Sequence, residues 1–177
     1  MAGVVHGPDR LSGGGRITPF RVVAVVAVVL AGLLVTGLLP VEFVRVSSDS
    51  MAPTLHAGDR VLLVHDTGGL RRGDLVALSD PDGSGLLVKR VLALDGDRFA
   101  IEDGVVVVNG AAVVEPYADQ SRIDGVYAGP LGVPRGSVYV LGDNRGESVD
   151  SLTFGPVPEE SVVGRVTFRL WPSPGRL

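Results

Sequence analysis

The chain has no cysteine, which excludes a disulfide framework, thiolate-ligated zinc and a thiol nucleophile. Aromatic residues make up only 5% of its 177 residues, so its core must come from Val, Leu and Ala, and a Val-rich core favours strands over helices. Basic runs are missing as well. At a net charge of −4, nothing in the composition points to nucleic acid or polyphosphate. Lysine is nearly absent: Lys89 is the only one, and every other member of the 16 Lys and Arg residues is Arg. A guanidinium stays protonated in proteins, whereas burial can lower the pKa of an ammonium until it accepts a proton. Lys89 is therefore a candidate general base. A codon preference for Arg that left one Lys by chance is the plain alternative.

What the chain does have is a long apolar run, from Val22 to Leu39, interrupted only by Thr36. Such a run of about 18 residues is enough to cross a bilayer as a helix. Arg10, Arg16 and Arg21 precede it, while Pro40 and Glu42 follow. That asymmetry puts a short N-terminal tail (1–21) in the cytoplasm, a single membrane helix at 22–40, and residues 41–177 outside, although Arg45 weakens the contrast. A cleaved secretory signal is the competing reading. The length of the run and the lack of a small-residue pair at the right spacing after Leu39 argue against it.

Beyond Val41 the pattern is that of short strands. VEFVRVS, RVLLVH, DLVALS, LLVKRVLAL, RFAIE, VVVV, SVYVLG and VVGRVTFRL all read as β segments. Asp103-Gly104 and Asn109-Gly110 are two-residue turn signals bracketing Val105–Val108. Residues 119–136 read as a long surface loop, and no segment after the apolar run has helical periodicity. The expected fold class is all-β: an antiparallel, barrel-like domain behind a single N-terminal transmembrane helix, with a small accessory β subdomain at about 95–138.

Ser50 lies in the run VSSDSMAPTLHAGD, just past the apolar stretch. A serine hydroxyl attacks only when a base removes its proton. His6 belongs to the tail, on the other side of the membrane from Ser50, and His56 and His65 read as solvated turn and strand-end residues. The Gly-x-Ser-x-Gly elbow is absent. Lys89, inside an apolar strand that would desolvate its ammonium, is the leading partner for Ser50.

The run SDSMAPTLHAGD at 48–59 resembles the nucleophile box of bacterial type I signal peptidases, S-x-S-M-x-P-T-L followed by Gly-Asp. RRGDLVAL at 71–78 is similar to the second box of that family. KRVLALDGD at 89–97 resembles its lysine box, and GDNRGESVDSLTFG at 142–155 the box G-D-N-R-x-x-S-x-D-S-R-x-x-G. The four stand in the order of the family and the resemblance covers about residues 20–170. It implies Ser50 as nucleophile, Lys89 as general base, and Ser48 as the hydroxyl that joins the Ser50 N–H in an oxyanion hole. By the same resemblance Ser148 orients the base, Asp150 braces the site, and Arg90 with Asp143 ties two boxes together. Met51 belongs to the nucleophile box without chemistry of its own and reads as an apolar core residue.

The departures are Ala93 and Asp95, for Gly and Pro in the lysine box, and Leu152, for an Arg that pairs with the aspartate. Asp150 must therefore turn to another partner, Arg145, or rely on backbone donors. The resemblance implies a substrate, the signal peptide of an exported preprotein cut after a small-x-small sequence such as Ala-x-Ala. It also implies a bilayer around the anchor, a plasma-membrane location and a monomer. No cofactor, metal or nucleic acid is expected. Two rivals stay open: another Ser–Lys peptidase, either self-cleaving or dedicated to one substrate, and a catalytically silent, membrane-anchored β binding module.

Overall fold

The computed structural model describes residues 19–35, 40–81, 83, 85–118 and 127–177. These fall in two units that divide between Leu39 and Pro40. In the first, α1 spans Pro19–Val35 and is apolar throughout except for Arg21 and the small residues Ala and Gly. Among the described residues no helix is long and apolar enough to cross a membrane. The tail at 1–18 and positions 36–39 of the expected span lie outside the described residues.

The unit Pro40–Leu177 is all-β, as its valine-rich alternation demands. Its larger sheet contains β1 (Val41–Arg45), β2 (Arg60–Val64), β3 (Leu75–Ser79), β4 (Leu86–Ala93), β9 (Ser137–Leu141), β10 (Val157–Pro158), β11 (Val162–Trp171) and β12 (Gly175–Arg176). The order is β1-β2-β11-β3-β4-β9-β10 with β12 added on β11, and every pair is antiparallel. The path is open, so the barrel-like sheet ends in two edges. Gly164 on β11 is a point of close approach: a Cβ there would strike the Val64 carbonyl of β2.

A second sheet follows the order β7-β6-β5-β8, from β5 (Arg98–Glu102), β6 (Val105–Val108), β7 (Ala111–Ala112) and β8 (Ala128–Gly132). Its two tight turns are those signalled in the sequence. Asp103-Gly104 has φ of 52° and 77° and Asn109-Gly110 has 54° and 79°, the positive pairs that a two-residue hairpin requires. The expected loop at 119–136 is corrected in part, since Ala128–Gly132 pairs with β5 through Phe99↔Leu131 and Ile101↔Ala128. One apolar cluster (Leu92, Phe99, Ile101, Val106, Tyr139 and Leu141 among its members) joins the two sheets, and Phe99 stacks on Tyr139 at 4.0 Å.

Candidate active site

Ser50 sits in the turn between β1 and β2. Met51 and Leu55, both buried, plug that turn into the core beside Val46, Val61, Leu63 and Ala77. The apolar plug holds the polar residue before it at the surface of the core. Backbone bonds then lock the turn: Ala52 N–H donates to Asp49 O (3.0 Å) and Leu55 N–H to Met51 O (2.8 Å). From across the sheet, Asn144 N–H donates to Ser50 O at 3.1 Å, and Asn144 Nδ2 to Asp49 O at 3.2 Å.

Lys89 lies on β4, opposite Val76 of β3, with only 2% of its surface exposed. Its Nζ is 2.8 Å from Ser50 Oγ. Burial lowers the pKa of this amine below its ordinary 10.5, against the opposing pull of the Asp150, Asp143 and Asp80 carboxylates. The only lysine of the chain is thus buried, discharged more easily than usual, and within hydrogen-bond reach of the candidate nucleophile. Ser48 Oγ lies 3.3 Å from Ser50 Oγ on the outer side of the same turn.

The neighbouring residue, Arg90, grips Asp143 with two bonds, Nε to Oδ1 at 2.8 Å and Nη2 to Oδ2 at 2.6 Å. Its Nη1 donates to Gly73 O at 2.8 Å. Asp143 also accepts from Thr54 Oγ1 at 2.5 Å. Residues 54, 73, 90 and 143, one from each of the four sequence boxes, therefore meet at a single ion pair. Asp143 is fully buried, so its charge must be compensated there. Thr54 had no assigned role from sequence; its place beside Asp143 supplies one.

Asp150 is satisfied by backbone donors. It accepts from Gly142 N–H at 2.9 Å and from Leu152 N–H at 3.1 Å, and caps the short helix α2 (Ser151–Phe154). Arg145 is not its partner, because Glu115 takes that guanidinium. A carboxylate already capped this way gains little from a further cation. Leu152 is 39% exposed, so Leu152→Arg is expected to change stability by about 0–1 kcal/mol and leave cleavage unaltered. Thermal unfolding beside a cleavage assay checks this, and a large loss of activity would contradict it.

Ser148 lies close to Ser50, the two meeting over Gly142. A Cβ on Gly142 would collide with the Ser148 side chain and with Ser50 O. Among the described residues Ser148 Oγ is buried without a hydrogen-bond partner, and Lys89 Nζ, which the resemblance has Ser148 orient, bonds to Ser50. His56 faces Asp49 at 3.6 Å, and His65 faces Glu42 and the Val163 carbonyl. The departures Ala93 and Asp95 fall at the last residue of β4 and in the turn after it, where Asp95 accepts from Gly136 N–H at 3.0 Å. Among the described residues no group of three or more His, Asp or Glu side chains could hold a metal.

A small cavity of about 60 Å³ opens beside Ser50, its apolar lining including Val44, Val46, Met51, Ala77, Leu87 and Val88 and its polar lining Ser48 and Ser50. Two strand edges border it. Among the described residues β1 pairs only with β2, and the first half of β4 only with β3, because β9 joins β4 from Arg90 onward.

The family model described as "Signal peptidase, peptidase S26" matches residues 18–171. Signal peptidase IB of Staphylococcus aureus (strain N315) is 34% identical over 166 residues, covering 83% of this chain and 86% of that protein. Signal peptidase I of Bacillus caldolyticus is 39% identical over 142 residues, covering 72% and 78%. A crystal structure of a signal peptidase I from Enterococcus faecalis V583 superposes with a TM-score of 0.48 at 29% identity, covering 55% of this chain and 97% of that one.

Proposed function

The chain belongs to the signal peptidase family, peptidase S26, and from that membership we propose that it removes signal peptides from exported preproteins by a Ser50–Lys89 mechanism. One observation carries the mechanism: Lys89 Nζ, buried and depressed in pKa, at 2.8 Å from Ser50 Oγ. Neutral Lys89 takes the Ser50 proton as Oγ attacks the scissile carbonyl carbon. The Ser50 N–H, with the Ser48 hydroxyl swung off Ser50 Oγ, stabilises the oxyanion. Collapse of that intermediate expels the new N-terminal amine, which leaves with the proton held by Lys89. A water then attacks the acyl carbon while giving a proton to the neutral Lys89 amine, and collapse of that second intermediate releases the signal peptide as Lys89 returns the proton to Ser50 Oγ.

The substrate lies extended between the free edges of β1 and β4, adding main-chain hydrogen bonds to both. Its side chain next to the scissile bond enters the small cavity lined by Met51 and Ala77 beside Ser50, which favours Ala over anything bulky. The run Val22–Leu39 anchors the enzyme in the plasma membrane as a single span, with the tail 1–21 cytoplasmic and residues 41–177 outside. This anchor is supported by a helix that exposes Phe20, Val23, Val25 and Val28. It acts without a cofactor, as a monomer.

Full-length enzyme in detergent is expected to cut a preprotein once, after its small-x-small site, as read by N-terminal sequencing of the product. Ser50→Ala abolishes the cut. Cleavage undiminished in Ser50→Ala would overturn the proposal. Protease added to intact protoplasts should digest the protein beyond Val41; a protected C-terminal unit would overturn the topology.

A further inference from the structure

Beyond the four boxes, the segment that leaves β7 carries Glu115-Pro116-Tyr117 back to the loop 142–145, and its carboxylate is out of reach of water. The side chains of Glu115 and Arg145 are both fully buried and form two hydrogen bonds, one of them Nη1 to Oε2 at 3.1 Å. A dry ion pair gives little net stability over an apolar pair of the same shape. What it does give is fixed geometry, and the third donor of Arg145 shows where that geometry is delivered. Arg145 Nε donates to Gly142 O at 3.0 Å, while Gly142 N–H is held by Asp150 at 2.9 Å. Gly142 is thus held at both its N–H and its C=O.

Gly142 is also the point where no Cβ fits, because the Ser148 side chain and Ser50 O press against it. Two residues on, Asn144 N–H holds Ser50 O at 3.1 Å. The same carboxylate has a second attachment. Tyr117 OH donates to Glu115 Oε1 at 3.3 Å, and burial with the neighbouring anion raises this phenol to about 12, which keeps it a donor. Its ring lies 3.7 Å under the guanidinium of Arg90, the residue beside Lys89. One carboxylate is therefore linked through Arg145 to the backbone that holds Ser50, and through Tyr117 to the strand that holds Lys89.

We propose that Glu115 is a positioning residue for the Ser50–Lys89 pair, acting through Arg145 on Gly142 and through Tyr117 on Arg90, without touching substrate. The inference rests on the reading of Ser50 and Lys89 as the catalytic pair. Misplacing a nucleophile by a fraction of an ångström lowers kcat without weakening substrate binding.

Glu115→Asp keeps the charge but withdraws the carboxylate by one methylene. Glu115→Leu with Arg145→Met removes the pair altogether and leaves no unpaired buried charge. In full-length enzyme with a preprotein substrate, both variants are expected to melt near the wild type. Both should lose about 10–100-fold in kcat while KM stays within about two-fold. Failure of the double variant to fold would leave Glu115→Asp as the deciding protein. Wild-type kcat in a folded variant of either kind would overturn the proposal. A wild-type enzyme whose cleavage does not depend on Ser50 would instead overturn the catalytic reading beneath it, so the two failures are distinguishable.

Discussion

Lys89→Arg is expected to lower kcat by about 10²–10⁴-fold, the range that a general base contributes. Arg keeps a cation at this position in the middle of β4 but cannot give up its proton, so Ser50 Oγ has no acceptor for its own. Lys89→Met, which matches the length of the stem without a titratable group, should be equally inactive. It should also be somewhat more stable than the wild type near neutral pH. The folded-state pKa of Lys89 lies below its ordinary 10.5, so between those values the unfolded chain binds a proton that the folded chain refuses. Stability is therefore lost as pH falls from 10.5 toward the lowered value, and Met removes that loss. Preprotein cleavage and thermal unfolding of both variants check this. A folded variant cleaving near the wild-type rate would remove Lys89 from the mechanism and return attention to His56 and His65.

Asp143→Asn is expected to destabilise the protein by about 3–5 kcal/mol, the usual cost of breaking a buried pair on one side. Asn keeps the shape but leaves the Arg90 guanidinium, only 10% exposed at its side chain, facing a neutral amide. Thr54 loses its anionic acceptor at the same time. The melting temperature should fall on the order of 10 °C. The sign of the effect on Lys89 is also set, because the Asp143 charge favours the protonated amine. Its removal should move the acid limb of the pH–rate profile to lower pH. A melting temperature within about 2 °C of the wild type would show that the Arg90–Asp143 pair is not the structural joint described here.

All eight strands legible from alternation are present, because each carries three or more apolar or β-branched residues with turn signals on both sides. Those that escaped are short or poor in such residues. β8 is Ala-Gly-Pro-Leu-Gly, whose composition reads as a loop and which becomes a strand only by pairing with β5. β7, β10 and β12 have two residues each. Helix α2 has four residues, too few for any periodicity, and its one local signal is Asp150 at the cap.

The site was legible in the same uneven way. Box spacing singles out Ser50, Lys89, Arg90 and Asp143, and the structure brings Lys89 to Ser50 and Arg90 to Asp143. Leu152 in place of an Arg leaves Asp150 a choice between another cation and backbone donors, and it takes the donors. Glu115 was missed. Its partner Arg145 lies 30 residues away, and a carboxylate in Val-Val-Glu-Pro-Tyr carries no local sign of burial. The clue available was a Glu directly after an apolar run and beside a Pro, in a segment otherwise short of charge.

Because Lys89 is the single lysine of the chain, ¹⁵N-lysine labelling reports the proposed base alone. Titration of that single side-chain signal in full-length enzyme should give a pKa below 10.5, with the same midpoint as the acid limb of kcat/KM for preprotein cleavage. A Lys89 amine that titrates at or above 10.5, or whose midpoint is unrelated to the loss of activity on acidification, would contradict a role for Lys89 as the general base.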